Sequence, residues 1–358
     1  MGDETLTAKP TGDDFTRLAD PYRRELFAHC YRMLGSVHDA EDLVQETYLR
    51  AWRAYDSFEG RSSLRTWLYR IATSACLTAL ESRGRRPMPT GLGTPSSVPE
   101  GQIHERGEVP WLEPVPDSMV ADERDPAAIV AGRESVRLAL IAALQHLPPR
   151  QRAVLLLHDV LKWRSAEVAE LLATTTASVN SALQRARAQL EEVSPTEESV
   201  ARPSTPEQHE LLDRYLAAFE RYDVAEIVRL FTEDATWEMP PFDSWYQGAE
   251  AIGRLIHAQC PAQGAGDLRM LPAAANGQPA FGMYLRDQHG YHAFGLHVLT
   301  LNGAAVSHCA VFFEPELFER FGLPARLPGM DPEAAGRPVP FDPHFVEASG
   351  TGGTRLPD

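Results

Sequence analysis

Through most of the first half of this 358-residue chain, apolar residues recur at helical spacing. In FTRLADPYRRELFAHCYRMLG, Phe15, Leu18, Tyr22, Leu26, Phe27, Cys30, Met33 and Leu34 mark one face, and Gly35 stops the helix. A second helix is expected from Asp39 to Ala54, with Ser36 or the His38–Asp39 pair as its cap. A third covers 63–82, where Leu64, Trp67, Leu68 and Ile71 form a stripe with Arg61, Arg65 and Arg70 set around it. Helical spacing returns over 133–146, breaks at LPPRQR (147–152) and resumes over 153–161. A helix–turn–helix pattern follows: 165–172, a turn at 173–175 that lacks the usual glycine, and 176–190. In its second helix Val179, Leu183, Ala186 and Leu190 point inward.

From residue 207 the period changes. Two helices, 207–221 and 224–231, precede alternating runs at 235–239, 280–286, 291–302 and 305–314. Asn302–Gly303 joins the last two as a hairpin. Strict alternation would place Tyr291, His297 and Leu299 on one strand face, and His292, Phe294 and Val298 on the other. Proline, glycine and serine crowd residues 84–125, which read as a linker. Within it VPWLEPVP (109–116) carries an aromatic and a leucine fit to dock in a groove.

Charge sharpens the picture. The net charge of −16 is unusual for a DNA binder, yet residues 61–86 hold six arginines against the single acid Glu81. A local basic segment is what a phosphate-facing surface needs. Four separated cysteines form no CxxC pair, so neither a disulfide framework nor a zinc site is expected, and no cofactor is called for. No apolar run approaches the roughly 20 residues of a membrane span, and the acidic, polar N-terminus is unlike a signal peptide. The expected location is the cytoplasm.

DAEDLVQETYLRAWR (39–53) and SFEGRSSLRTWLYR (57–70) resemble the second conserved region of sigma-70 factors of the extracytoplasmic-function type. LPPRQRAVLLLHDVLKWRSAEVAELLATTTASVNSALQRARAQL resembles the fourth region of the same family. LLDRYLAAFERYDVAEIVRLFTEDATWEMPPFDSWYQGAEAI resembles a SnoaL-like domain, a curved sheet with helices forming a cone around a pocket. The resemblance implies a multidomain chain: two all-α sigma domains, the second with the helix–turn–helix, and a C-terminal α+β cone. Its divisions would be region 2 at 14–86, a Pro-rich linker at 87–125, region 4 at 126–192, a linker at 193–206, the SnoaL-like domain at 207–325 and a tail at 326–358.

It also implies partners: core RNA polymerase, through the clamp of its largest subunit and the flap of the second largest, and promoter DNA. Asp39, Asp42, Leu43, Gln45 and Glu46 are then the polymerase-facing candidates. Phe58, Arg61, Ser62, Ser63, Arg65, Trp67, Arg70, Arg83, Arg85 and Arg86 are candidates for the −10 element and melting, since an extruded base needs aromatic and polar walls beside cations for the backbone. Ser178, Asn180, Ser181, Gln184 and Arg185 are candidates for −35 base edges. Arg150, Lys162, Arg164 and Arg187 are candidates for flanking phosphates. Trp237, Glu238, Met239, Trp245, Tyr246 and His297 would line the C-terminal pocket and its small-molecule ligand, with Asp243, His292 and His308 as further polar groups. No catalytic residue is assigned, and no metal-ligand spacing stands out. The linker acids Glu100, Glu105, Glu108, Glu113 and Asp117 would lie near the polymerase channel as nucleic-acid mimics. The rival reading is a DNA-binding regulator fused to a ligand-sensing or isomerase-like SnoaL domain.

Overall fold

The computed structural model describes residues 12–82, 84–120, 135–193 and 205–328. The chain divides into two compact units, one drawn from residues 1–86 and 119–194, the other from 87–118 and 195–358.

The first unit is helical: α1 (Gly12–Ala19), α2 (Arg23–Leu34), α3 (Val37–Ala54), α4 (Leu64–Ser82), α5 (Leu138–Gln145), α6 (Pro149–Leu155), α7 (Ser165–Leu171) and α8 (Thr176–Val193). The expected first helix is split by a tight turn at Asp20–Tyr22, where Pro21 lacks the amide that an uninterrupted helix needs. Gly35 ends α2 at φ 70°, its amide bonded to Tyr31 O at 2.7 Å. Ser36 caps α3, its Oγ accepting from the Asp39 amide at 3.1 Å. Ala173 stands at φ 50° in the helix–turn–helix turn, the left-handed position a glycine usually takes.

Two buried arginines join the halves of this unit. Arg152 of α6 donates to the Met33 carbonyl at the end of α2, to Gln145 Oε1 (2.9 Å) and to the carbonyls of Gln145 and Leu147 (3.3 and 3.2 Å). Arg32 reaches Ser135 Oγ at 2.6 Å. Both sit where helix C-termini gather carbonyl dipoles, which favours a cation. Burial still holds both guanidinium pKa values down at about 10.

The second unit packs α9 (Pro206–Glu220), α10 (Val224–Arg229) and α11 (Ala249–Gln259) on a sheet of β1 (Phe231–Glu238), β2 (Trp245–Gln247), β3 (Leu268–Ala275), β4 (Gln278–Asp287), β5 (Gly290–Asn302) and β6 (Ala305–Phe312), with β7 (Arg326–Leu327) on β5 and α12 (Glu316–Arg320) alongside. The strand order is β2-β1-β6-β5-β4-β3, antiparallel except for the parallel pair β1–β6. Its core gathers Leu212, Tyr215, Phe219, Trp237, Phe281 and Leu299. The simple alternation expected along β5 fails at one place. Met283 pairs with Gly295 and the next residue, Tyr284, with Ala293, so Phe294 is an extra residue. That bulge reverses the faces on either side of it, and His292, not Tyr291, shares a face with His297.

The larger difference concerns residues 87–118. They are not a loose linker but a strap that belongs to the second unit. No helix among the described residues is long and apolar enough to cross a membrane.

Candidate polymerase, promoter and control sites

Along α3, Asp42, Gln45, Leu49 and Trp52 are exposed at positions i, i+3, i+7 and i+10, which align on one stripe of a helix. Trp52 is 53% and Leu49 48% exposed, a large apolar area to leave in water. Leu43 is half-buried, and Glu46 pairs with Arg50 at 2.7 Å. Asp39, expected on this face, turns inward because the Ser36 cap sets it in the buried first turn. There it bonds Arg86 at 2.8 Å, so Arg86 too is engaged inside the unit.

At the melting segment, Phe58 and Trp67 stack with ring centroids 4.8 Å apart and planes 28° from parallel, and Tyr55 extends the stack at 6.2 Å. Trp67 is thus half-buried in an aromatic ladder that borders the loop. Ser63 caps α4 by accepting the Thr66 amide, beside half-buried Ser62. Arg61 pairs with Glu59 (2.9 Å), Arg70 with Glu170 (2.9 Å), and Arg85 with His146 Nδ1 (3.1 Å). Such exposed pairs are weak. Arg65 is held harder, forked onto Glu25 at 2.7–2.9 Å and 5.0 Å over the Tyr69 ring. Arg83 lies outside the described residues.

On α8, Ser178, Asn180, Ser181, Gln184, Arg185 and Arg187 are all exposed. Thr175 Oγ1 caps the helix by accepting the Ser178 amide. Asn180 Oδ1 accepts from Ser165, and Arg185 donates to Ser181 Oγ at 2.6 Å. Arg187 is forked onto Asp159. Arg150 and Lys162 are exposed, and Arg164 closes a capping box with Glu167.

In the second unit the expected pocket residues separate. Trp237, Met239, Tyr246 and His297 join the hydrophobic core. His297 Nδ1 lies 2.7 Å from Tyr215 Oη, which lies 3.5 Å from Cys309 Sγ, while Phe219 and Trp237 meet the imidazole edge-on at 5.3 and 5.6 Å. Burial pushes His297 down to about 3 and both Tyr215 and Cys309 upward, so all three are neutral at pH 7. Glu238, one residue from Trp237 on β1, points to the opposite face, as alternation requires. Its Oε1 meets His308 Nε2 at 2.7 Å and its Oε2 accepts from the Thr90 amide at 3.0 Å. Trp245 donates its indole N–H to Gly93 O at 3.0 Å.

Thr90 and Gly93 begin the strap's path. Glu100 then forks onto Arg254 at 2.7 Å, and Gln259 donates to the carbonyls of Pro99 and Gly101. Glu105 bridges Phe242, and Arg106 meets Asp243 and Glu108. The end is fixed most firmly. Val115 N–H donates to Asn276 Oδ1 (2.9 Å), Asn276 N–H returns to Val115 O (2.9 Å), and Asp117 accepts the Gly277 amide at 2.7 Å. Trp111, Leu112 and Val115 are buried, and Glu113 lies among them. The carboxylates of Glu100 and Asp117 are therefore engaged by this unit in place of the channel-facing role expected for them, while Glu105 joins it through its backbone alone.

Models of Sigma-70 region 2 and Sigma-70 region 4 match residues 18–86 and 137–190, and a SnoaL-like domain model matches 212–314. Over 315 residues, 88% of this chain and 85% of the relative, the sequence is 60% identical to the ECF RNA polymerase sigma factor SigG of Mycobacterium tuberculosis (strain ATCC 25618 / H37Rv). This chain belongs to the ECF RNA polymerase sigma factors. It is 29% identical to SigJ of the same organism over 88% of this chain and 96% of SigJ. The crystal structure of SigJ shares the fold at a TM-score of 0.56 and 24% identity, covering 87% of this chain and 99% of SigJ.

As a sigma factor of this family, the protein works with core RNA polymerase on promoter DNA in transcription initiation. Sequence reasoning passed over several residues that the structure makes conspicuous. Trp52 reads as one more apolar position until the helix is seen to expose it. Asp159 and Asn276 make contacts over 28 and 161 residues of chain, which no local pattern reveals.

Proposed function

We propose that α3 presents Asp42, Gln45, Leu49 and Trp52 to the polymerase clamp, that the Phe58–Arg70 segment opens the −10 element, and that Ser178–Arg187 reads the −35 element. The SnoaL-like unit controls these steps in cis, as a holder of the strap and not as an enzyme. In this reading the protein acts in the cytoplasm, where polymerase is. The observation that carries the control role is the strap's attachment: Thr90, Glu100, Val115 and Asp117 all bond the second unit. Since the strap lies in the chain between regions 2 and 4, holding it limits how far the two regions can part. Against catalysis stands the cone interior, where rings of Tyr215, Phe219 and Trp237 close around His297 and the imidazole is already engaged by Tyr215.

The test is promoter-directed transcription with purified core polymerase, comparing the unsubstituted protein with Asp117→Ala. Release of the strap should change transcript yield per bound sigma factor while core affinity stays the same. Equal yields would remove the control role from the strap.

A further inference from the structure

Beside the recognition helix α8 runs a groove of about 450 Å³, lined by His158, Asn180, Gln184 and Arg187 among others. Asn180 and Gln184 lie seven and three residues before Arg187, on one flank of the helix. Across the groove, α6 does not end regularly but widens into a π turn at Leu156–Val160. Such turns cluster at functional sites because they re-aim side chains. This one carries Asp159 to Arg187. The guanidinium donates from Nε to Oδ2 at 3.0 Å and from one Nη to Oδ1 at 2.6 Å. His158 Nδ1 lies 2.7 Å from the same Oδ1. The second Nη takes no part in this fork.

We propose that Asp159 is a positioning residue: it holds Arg187 at the rim of the groove so that the guanidinium meets one backbone phosphate of the −35 duplex, with His158 bracing the carboxylate. The inference rests on α8 being the −35 reader. A long side chain fixed before binding has less rotamer freedom to lose when the phosphate arrives. Electrostatics alone predicts the opposite sign, because removing a carboxylate near the DNA should tighten binding. The two effects can therefore be told apart by direction.

Holoenzyme assembled from the full chain and core polymerase is titrated onto a promoter duplex that it has itself enriched from genomic fragments, over a range of KCl concentrations. Arg187→Ala should weaken binding about ten-fold and reduce the slope of log K against log salt by about 0.9, the loss of one phosphate contact. Asp159→Ala should weaken it in the same direction, about three- to ten-fold, and Asp159→Asn, which keeps an acceptor for Nε, should fall between. Arg187→Lys keeps the charge without the fork and should lose affinity while retaining the salt slope. A methylphosphonate at the phosphate that Arg187 meets should leave Arg187→Ala unaffected and weaken Asp159→Ala less than the unsubstituted protein. If Asp159→Ala binds as tightly as the unsubstituted protein, or tighter, while Arg187→Ala is weak, the positioning role is overturned and the phosphate contact stands. An Arg187→Ala variant that binds normally overturns both. Should Asp159→Ala fail to fold, equal affinity for Arg187→Lys overturns the role of the fork.

Discussion

Substituting Asp117 by Ala isolates the strap's firmest anchor. Asp117 is 2% exposed, and its carboxylate accepts the buried Gly277 amide at 2.7 Å. A hydrogen bond to a charged group is worth about 1.5–3 kcal/mol, and the amide left behind would be an unsatisfied buried donor. Because the strap is tethered, opening is an intramolecular equilibrium, and that loss multiplies the open population by about 10- to 150-fold. The Asn276–Gly277 turn itself should persist, since its backbone angles, φ 57° and 71°, are set by residues that remain. Hydrogen exchange resolved to peptides is the assay. Protection over 109–118 should fall by the factor above, while peptides from β5 and β6 keep theirs. Glu100→Ala, which removes an exposed pair with Arg254, should change exchange little. Unchanged protection at 109–118 would refute the anchoring argument. Loss of protection across the whole second unit would refute it equally, by showing that Asp117 supports the domain and not the strap alone.

Other expectations follow from the same geometry. His29 and His297 are each held down at about 3 by burial; the unfolded chain takes up their protons below about pH 6.5 and the folded chain does not, so stability is complete above that pH and is lost as pH falls toward 3. At pH 5 the loss is about 2 kcal/mol per histidine. His297→Gln should flatten the pH dependence of melting in the second unit between pH 5 and 7.5, and an unchanged dependence would contradict the assignment. Arg152→Met, which removes the bonds to Met33, Gln145 and Leu147, should destabilise the first unit by about 3 kcal/mol in urea unfolding; an unaltered midpoint would mean the cation's burial cost cancels its bonds. Trp52→Ala should leave the melting temperature unchanged, because the ring is exposed, but should weaken core polymerase binding by at least about ten-fold if it is an interface anchor.

Much of the fold was legible where the signals are local. Gly35 and Ser36 end and cap helices as read, and Asn302–Gly303 joins β5 to β6, with Gly303 at φ 58°. The same dipeptide at 276–277 joins β3 to β4 but is masked by its strand. LRMLPAAA has no β-branched residue, and Pro272 argues against a strand. It is tolerated because β3 is the sheet's edge. The control site was less legible. Proline spacing foretells that residues 87–118 are extended, and VPWLEPVP does contribute buried Trp111, Leu112 and Val115. What the strap lies on depends on Asn276, Arg254 and Gln259, which are far away in the chain. Likewise the Asp39–Arg86 pair joins residues far apart in the chain, and the placing of His292 on the His297 face comes from a bulge that composition does not encode.

The most direct measurement is promoter-specific initiation in vitro, with core polymerase and a genomic fragment library, by the full chain and by residues 1–205. The account predicts that the full chain binds core and starts transcription at defined sites, and that loss of the strap's support changes the output from those same sites. Failure of both proteins to bind core or to initiate anywhere would contradict it.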